Sequence, residues 1–159
     1  MRIALYQPDI PQNTGTILRL AACLDIAVDV IGPTGFDMTD RALRRAGLDY
    51  LQHVNITRHE TFQGFAACAP GRIVLLSAHA AAAHYDFSFD RHDTLLLGRE
   101  SAGVPEDVHA RADARLRIPM RAGLRSLNIA VAAALAVGEA LRQTNGFPVQ
   151  GGATGGRQA

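Results

Sequence analysis

Residues 115–143 read RLRIPMRAGLRSLNIAVAAALAVGEALRQ, and the rest of the chain is organised around them. A strand-like run at 116–118 opens the stretch, and Pro119 stops it, because proline has no N–H for a sheet ladder. A loop around Gly123 follows, then a helix apolar on almost every side. Between Leu127 and Leu141 only Asn128, Gly138 and Glu139 are not hydrophobic. Such a helix must be buried, in a core or between subunits. Its polar entry is therefore conspicuous. Ser126 is a good N-cap, and Asn128 falls where helix N–H groups point outward. The pattern predicts a ligand-binding loop resting on a rigid element.

Working outward, the preceding segments alternate in type. Residues 3–6 form a short apolar strand, followed by a proline-containing loop over 7–15. Residues 16–24 read as a helix, with Ile17, Leu20, Ala21 and Leu24 at helical spacing and Arg19 on another face. A second strand over 26–31 closes on Gly-Pro-Thr-Gly, completing a βαβ beginning. A short basic helix is expected at 39–46, a strand at 51–56 and a helix at 59–68. Residues 73–76 and 94–97 are uninterrupted apolar runs, as in parallel strands covered on both faces. Residues 78–90 have mixed periodicity, and 104–112 can form a short helix. The expected fold is α/β, a mainly parallel sheet flanked by helices. Residues 1–145 make a single domain, and glycine-rich 146–159 a flexible tail.

Composition narrows the function classes. Of 159 residues, 48% are hydrophobic and 19% charged, a globular balance. The net charge of +1 does not announce a nucleic-acid binder, but the bases cluster at Arg41, Arg44 and Arg45 and again at Arg111, Arg115, Arg117, Arg121 and Arg125. Cys23 and Cys68 stand apart without CxxC or a histidine pair, so neither a disulfide framework nor a metal site is expected. The longest apolar run, 129–137, is about half of the roughly 20 residues a membrane span needs. The expectation is a cytoplasmic protein without membrane attachment.

Ligands of open α/β sheets bind beyond the carboxyl ends of the strands. The loops expected there are 7–13, 77 onward, 98–103 and 119–126. The turn Gly98-Arg99-Glu100-Ser101-Ala102-Gly103 is neither a Walker loop nor a dinucleotide fingerprint. Taken alone, it is either a tight turn with a solvated ion pair or a site loop. Asn13 and Arg19 read first as a polar cap and an exposed helical arginine, with site residues as the alternative, whereas for Asp49 and Tyr50 spacing does not decide between turn and site. His79 and His84 read as ordinary loop residues.

Three motifs in order carry a resemblance. PDIPQNTGTILRLAACL, LLLGRESAGVP and RIPMRAGLRSLNIAVAAALAVGEALRQ resemble the three motifs of the SPOUT RNA ribose methyltransferases. FDMTDRALRRAGLDY is especially similar to the TrmL (YibK-like) family, which methylates the 2′-oxygen of tRNA cytidine or uridine 34. The resemblance spans nearly all of 1–145. It implies a C-terminal deep trefoil knot, S-adenosyl-L-methionine as cofactor, a homodimer, and tRNA bound through its anticodon stem-loop. Carried over by position, the cofactor-binding residues are Leu76, Gly98, Ile118, Ser126 and Leu127, and the catalytic residues Asn13, Arg19, Glu100, Ser126 and Asn128. Arg19 is permanently charged, so it suits a positioner of phosphate and hydroxyl better than a free base. Glu100 and Asn128 would order the loops, and Ser126 would cap the helix.

Two positions depart from that pattern. Arg99 stands where TrmL-like chains usually have proline, and Leu124 where they usually have serine; an aromatic near Gly138 is also missing. These changes bear on substrate choice. The alternatives are the same chemistry on another RNA site, a non-catalytic RNA-binding dimer, and a small-molecule α/β enzyme. The last leaves the three ordered motifs unexplained.

Overall fold

The computed structural model describes residues 1–38 and 48–149. Seven strands form one sheet: β1 (Arg2–Tyr6), β2 (Ala27–Ile31), β3 (Ile56–His59), β4 (Ile73–Leu76), β5 (Ala82–Ala83), β6 (Thr94–Leu97) and β7 (Ala114–Arg117). Their spatial order is β3-β2-β1-β6-β4-β7-β5, and each neighbouring pair runs parallel. The helices are α1 (Pro11–Cys23), α2 (Phe62–Cys68), α3 (Glu106–Arg111) and α4 (Ile129–Thr144).

Strand periodicity divides the core between two faces. Ile3 and Leu5 of β1, with Val28, Val30, Leu95 and Leu97, pack under Ile17, Leu18 and Ala21 of α1 and Ala133, Ala136, Val137 and Ala140 of α4. Ala4 and Tyr6, with Ile31, Ile73, Leu75 and Leu96, face Phe62 and Phe65 of α2 and Val108 of α3. Both faces are covered, which is why β1, β4 and β6 are apolar without alternation. The chain moves outward from β1 to β3, then returns to the other side of β1. The strand order therefore reverses beside β1 and β6.

Several boundaries differ from the sequence expectation. α1 begins five residues before 16, because Pro11 occupies its first turn, where a missing N–H costs nothing. Asn13 and Gly15 thus belong to a helix rather than a loop. Residues 51–56 are not one strand: Leu48–His53 is a 3-10 helix, and the strand starts only at Ile56, opposite Val28. His59 ends β3 instead of opening a helix; α2 starts at Phe62, where the Thr61 hydroxyl accepts the Gly64 N–H at 3.1 Å. The ambiguous 78–90 holds β5 and a 3-10 turn, His84–Asp86. The predicted basic helix at 39–46, with Arg41, Arg44 and Arg45, lies outside the described residues, as do residues 150–159 of the expected tail.

The apolar helix is α4, and the chain buries one side of it. Leu127, Val131 and Leu135 remain 39%, 49% and 45% exposed, a stripe at helical spacing. Its cap is Asn128, not Ser126: the Asn128 Oδ1 accepts from the N–H groups of Ala130 at 2.9 Å and Val131 at 3.4 Å. Among the described residues no helix is long and apolar enough to cross a membrane, and no group of three or more His, Cys, Asp or Glu side chains could hold a metal.

Candidate active site

At the carboxyl ends of β4, β6 and β7 lies a cavity of about 640 Å³, walled by the loops that follow these strands and by the start of α4. Its volume is within the roughly 300–1,000 Å³ usual for small-molecule sites, and its position beside the strand-order reversal is where parallel sheets bind ligands. The apolar lining includes Leu76, Leu97, Ile118, Met120 and Leu127, and the polar lining Asn13, Ser77, Glu100, Ser126 and Asn128.

The polar side is one connected network. With its Oδ1 held by the backbone of α4, Asn128 can present only its amide nitrogen outward, which donates to Asn13 Oδ1 at 2.9 Å. Asn13 must then donate, and its Nδ2 reaches Glu100 Oε1 at 3.2 Å. The other carboxylate oxygen of Glu100 accepts the Asp9 N–H at 3.3 Å, while the Glu100 N–H donates to Asp9 Oδ1 at 3.3 Å. Ser101 Oγ donates to the second oxygen of Asp9.

The Glu100 loop is tightly folded. Arg99 and Gly103 exchange backbone bonds of 2.9 and 2.8 Å, and Gly103 has φ +68°, a conformation glycine adopts freely. A side chain at Gly98 would meet the Gly103 backbone at 2.7 Å, so glycine is required there too. Burial, then the bond to Asp9, pushes the Glu100 carboxyl above its usual range. The bond from Glu100, with help from Ser101, draws Asp9 below its own. The two shifts are opposite, as expected where one carboxyl raises the proton affinity of its neighbour.

Eight predicted site residues come together here: Asn13, Leu76, Gly98, Ile118, Glu100, Ser126, Leu127 and Asn128 all line the cavity. Arg19 does not. It is exposed on α1, its guanidinium 4.7 Å from the centre of the Tyr50 ring. Sequence reasoning misses Asp9; an acid in a strand-end loop is a weak signal, and its partner lies 91 residues away. Arg99, of the expected 98–103 loop, and His79, read from the sequence as an ordinary loop residue, also line the cavity, as does His109, which no sequence feature singles out. Arg115 Nε lies 3.1 Å from His109 Nδ1 and 3.0 Å from the His109 carbonyl oxygen. The C-terminal arginine cluster divides: Arg115 braces the carbonyls of His109 and Ala110, and Arg117 those of Ala80 and Ala81, whereas Arg121 and Arg125 are exposed.

The sequence and the fold both have known counterparts. The SpoU rRNA Methylase family model matches residues 1–138. The tRNA (cytidine(34)-2′-O)-methyltransferase of Beijerinckia indica is 58% identical over 144 residues, spanning 89% of this chain and 90% of that protein. A structure solved for insights into 2-OH methylation of C/U34 on tRNA superposes with TM-score 0.86 at 44% identity, covering 89% of this chain and 94% of the other. The SpoU methyltransferase AviRb of Streptomyces viridochromogenes, in complex with the cofactor AdoMet, superposes with TM-score 0.82 at 28% identity, over 90% of this chain and 60% of that one.

Proposed function

The chain belongs to the SpoU methylase family, and from that premise we propose that it methylates the ribose 2′-hydroxyl of the wobble nucleotide of tRNA, a cytidine or 5-modified uridine at position 34. The observation that carries this reading is the Asn128–Asn13–Glu100 network beside a cavity of cofactor size. Relatives named for the same reaction support it over almost their whole length.

The residues present fit S-adenosyl-L-methionine. Leu76, Ile118, Met120 and Leu127 offer an apolar slot for a planar base, and the strand ends with Ser77 and Ser126 offer hydrogen-bonding groups for polar ends. When bound, the cofactor supplies a methyl group on a positively charged sulfonium. The protein's task is positioning, because an in-line displacement is governed by alignment of the reacting atoms. Glu100 and Asn13 hold the 98–103 loop against the start of α1, and Asn128 ties both to α4. Arg19, a permanent cation, orients the ribose hydroxyl and an adjoining phosphate.

Arg19 lies outside its own chain's cavity lining, and α4 carries an uncovered apolar stripe. Both features support a homodimer in which Arg19 acts from the partner subunit. The reading includes one methyltransferase domain over 1–145, a C-terminal deep trefoil knot, recognition of the anticodon stem-loop and a cytoplasmic location.

The test is methyl transfer from labelled S-adenosyl-L-methionine to tRNA lacking this modification, with the labelled nucleotide mapped. Label on the ribose of nucleotide 34 is the expected result. Label elsewhere would overturn the substrate, and no transfer to any RNA would overturn the activity. Arg19→Ala is expected to lower turnover at least about 100-fold; full turnover would remove Arg19 from the site.

A further inference from the structure

We propose that Arg99 is a phosphate-binding residue of this site, its guanidinium taking the phosphodiester beside the target ribose. The proposal rests on the RNA methylation reading above and adds to it a specific contact. Arg99 lines the cavity, next in sequence to Glu100. Its Nε is buried and, among the described residues, has no acceptor. A buried charged donor without a partner is costly, and native structures complete such groups with protein, water or ligand.

Among the described residues, several other arginines are completed internally. Arg2 holds Asp29, Arg72 holds Asp93, and Arg115 and Arg117 hold carbonyls. The acids near Arg99 are already engaged, Glu100 by Asn13 and the Asp9 N–H, and Asp9 by Ser101 and the Glu100 N–H. Nor can the Arg99 backbone swing away, because both its N–H and its carbonyl bond to Gly103. Arg125, a second guanidinium on the cavity wall, has no internal acceptor among the described residues. Two guanidinium-bearing side chains therefore line one cavity.

The charge of the possible ligands decides between them. S-adenosyl-L-methionine carries an ammonium and a sulfonium against one carboxylate, so its net charge is positive and Arg99 repels it overall. A phosphodiester is a fixed anion with two equivalent oxygens, which match the edge of a guanidinium fork.

The experiment compares the wild-type chain with Arg99→Gln and Arg99→Lys. Dissociation constants for tRNA are measured across a potassium chloride series, and cofactor affinity by calorimetry. In Arg99→Gln the slope of log affinity against log salt should shrink by about 0.7–0.9, the contribution of one phosphate contact. Its tRNA affinity should fall roughly tenfold, the loss of a charge-assisted bond, with cofactor affinity no lower than in wild type. Arg99→Lys should keep the slope and recover part of the affinity, since it retains the charge but not the fork. Melting temperatures should not fall below wild type, because no internal bond of the side chain is lost and an unpartnered buried donor is removed. An unchanged slope in Arg99→Gln overturns the proposal, and so does weakened cofactor binding with intact tRNA binding. If wild type methylates tRNA while Arg99→Gln keeps its slope, this proposal alone fails; if wild type modifies no RNA, the reading beneath it fails.

Discussion

Asn128 performs two tasks with one amide, and two substitutions separate them. Its oxygen caps α4 at Ala130 and Val131, and its nitrogen holds Asn13. Asn128→Ala removes both. Loss of an N-cap costs about 0.5–2 kcal/mol, and an exposed neutral hydrogen bond adds roughly 0.5 kcal/mol, so the total is about 1–2.5 kcal/mol. For a chain of this size the melting temperature should fall by roughly 3–10 °C. Asn128→Asp keeps an acceptor at the helix start, where a negative charge is favourable, so its stability should stay within about 0.5 kcal/mol of wild type. It cannot donate to Asn13, however. The Asn13 amide would turn to give its N–H to the introduced carboxylate, leaving its oxygen against Glu100 Oε1. Positioning of the 98–103 loop should then fail, and turnover should drop about 100-fold. Thermal melting and single-turnover methyl transfer from labelled cofactor, run on both variants, check the separation. An Asn128→Asp variant with full turnover, or an Asn128→Ala variant that melts with wild type, would refute the reasoning.

The other predictions concern the acid pair, the exposed stripe and the sheet edge. Asp9 and Glu100 give opposite pH slopes in different windows. The stability from Asp9 is complete above its ordinary carboxyl value and is lost as pH falls through its lowered one, while that from Glu100 is complete below its ordinary value and is lost as pH rises through its raised one. Urea titrations should therefore show the Glu100 contribution declining as pH rises above the ordinary carboxyl range, and Asp9→Asn should flatten that decline; an unaltered slope would show that the carboxyls do not interact. Val131→Glu with Leu135→Glu should yield a monomer in sedimentation and abolish turnover, and a dimer that survives both changes would remove α4 from the interface. Asp29, 4% exposed, accepts Arg2 at 2.6 Å and His59 at 2.7 Å; Asp29→Ala should cost about 3 kcal/mol in urea unfolding, the usual result of breaking an ion pair whose acid is buried, and a loss under about 1 kcal/mol would contradict it.

The parallel sheet is legible in the sequence because strands covered on both faces must be apolar without alternation, and residues 73–76 and 94–97 appear in the structure with those bounds. The edge is not legible. Ile56–His59 reads ITRH, with one apolar residue, because an edge strand needs little burial and takes its register from β2. The start of α1 escapes the sequence reading because prolines in a loop-like string also suit the first turn of a helix. Within the site, Asn13, Glu100 and Asn128 are visible through motif resemblance, whereas their mutual bonds span 87 and 115 residues and leave no local pattern. Asp9 escapes for the same reason. The expectation of Ser126 as the cap rests on intrinsic preference, where Ser and Asn rank alike and only the path of the loop decides.

The direction of the network follows from α4 rather than from the site. A free amide can turn over, exchanging donor and acceptor, but the helix N–H groups fix the Asn128 oxygen, and each later amide inherits its orientation. The series ends on a carboxyl, the one group in it that only accepts when ionised. A protonated Glu100 still accepts at one oxygen while giving its proton to Asp9, so the Asn13 contact survives either protonation state. Serine at 128 could cap α4 but could not reach Asn13, and aspartate at 13 would place a third carboxylate against Glu100. The two asparagines are therefore required together: the first is oriented by the helix, and the second carries that orientation to the loop.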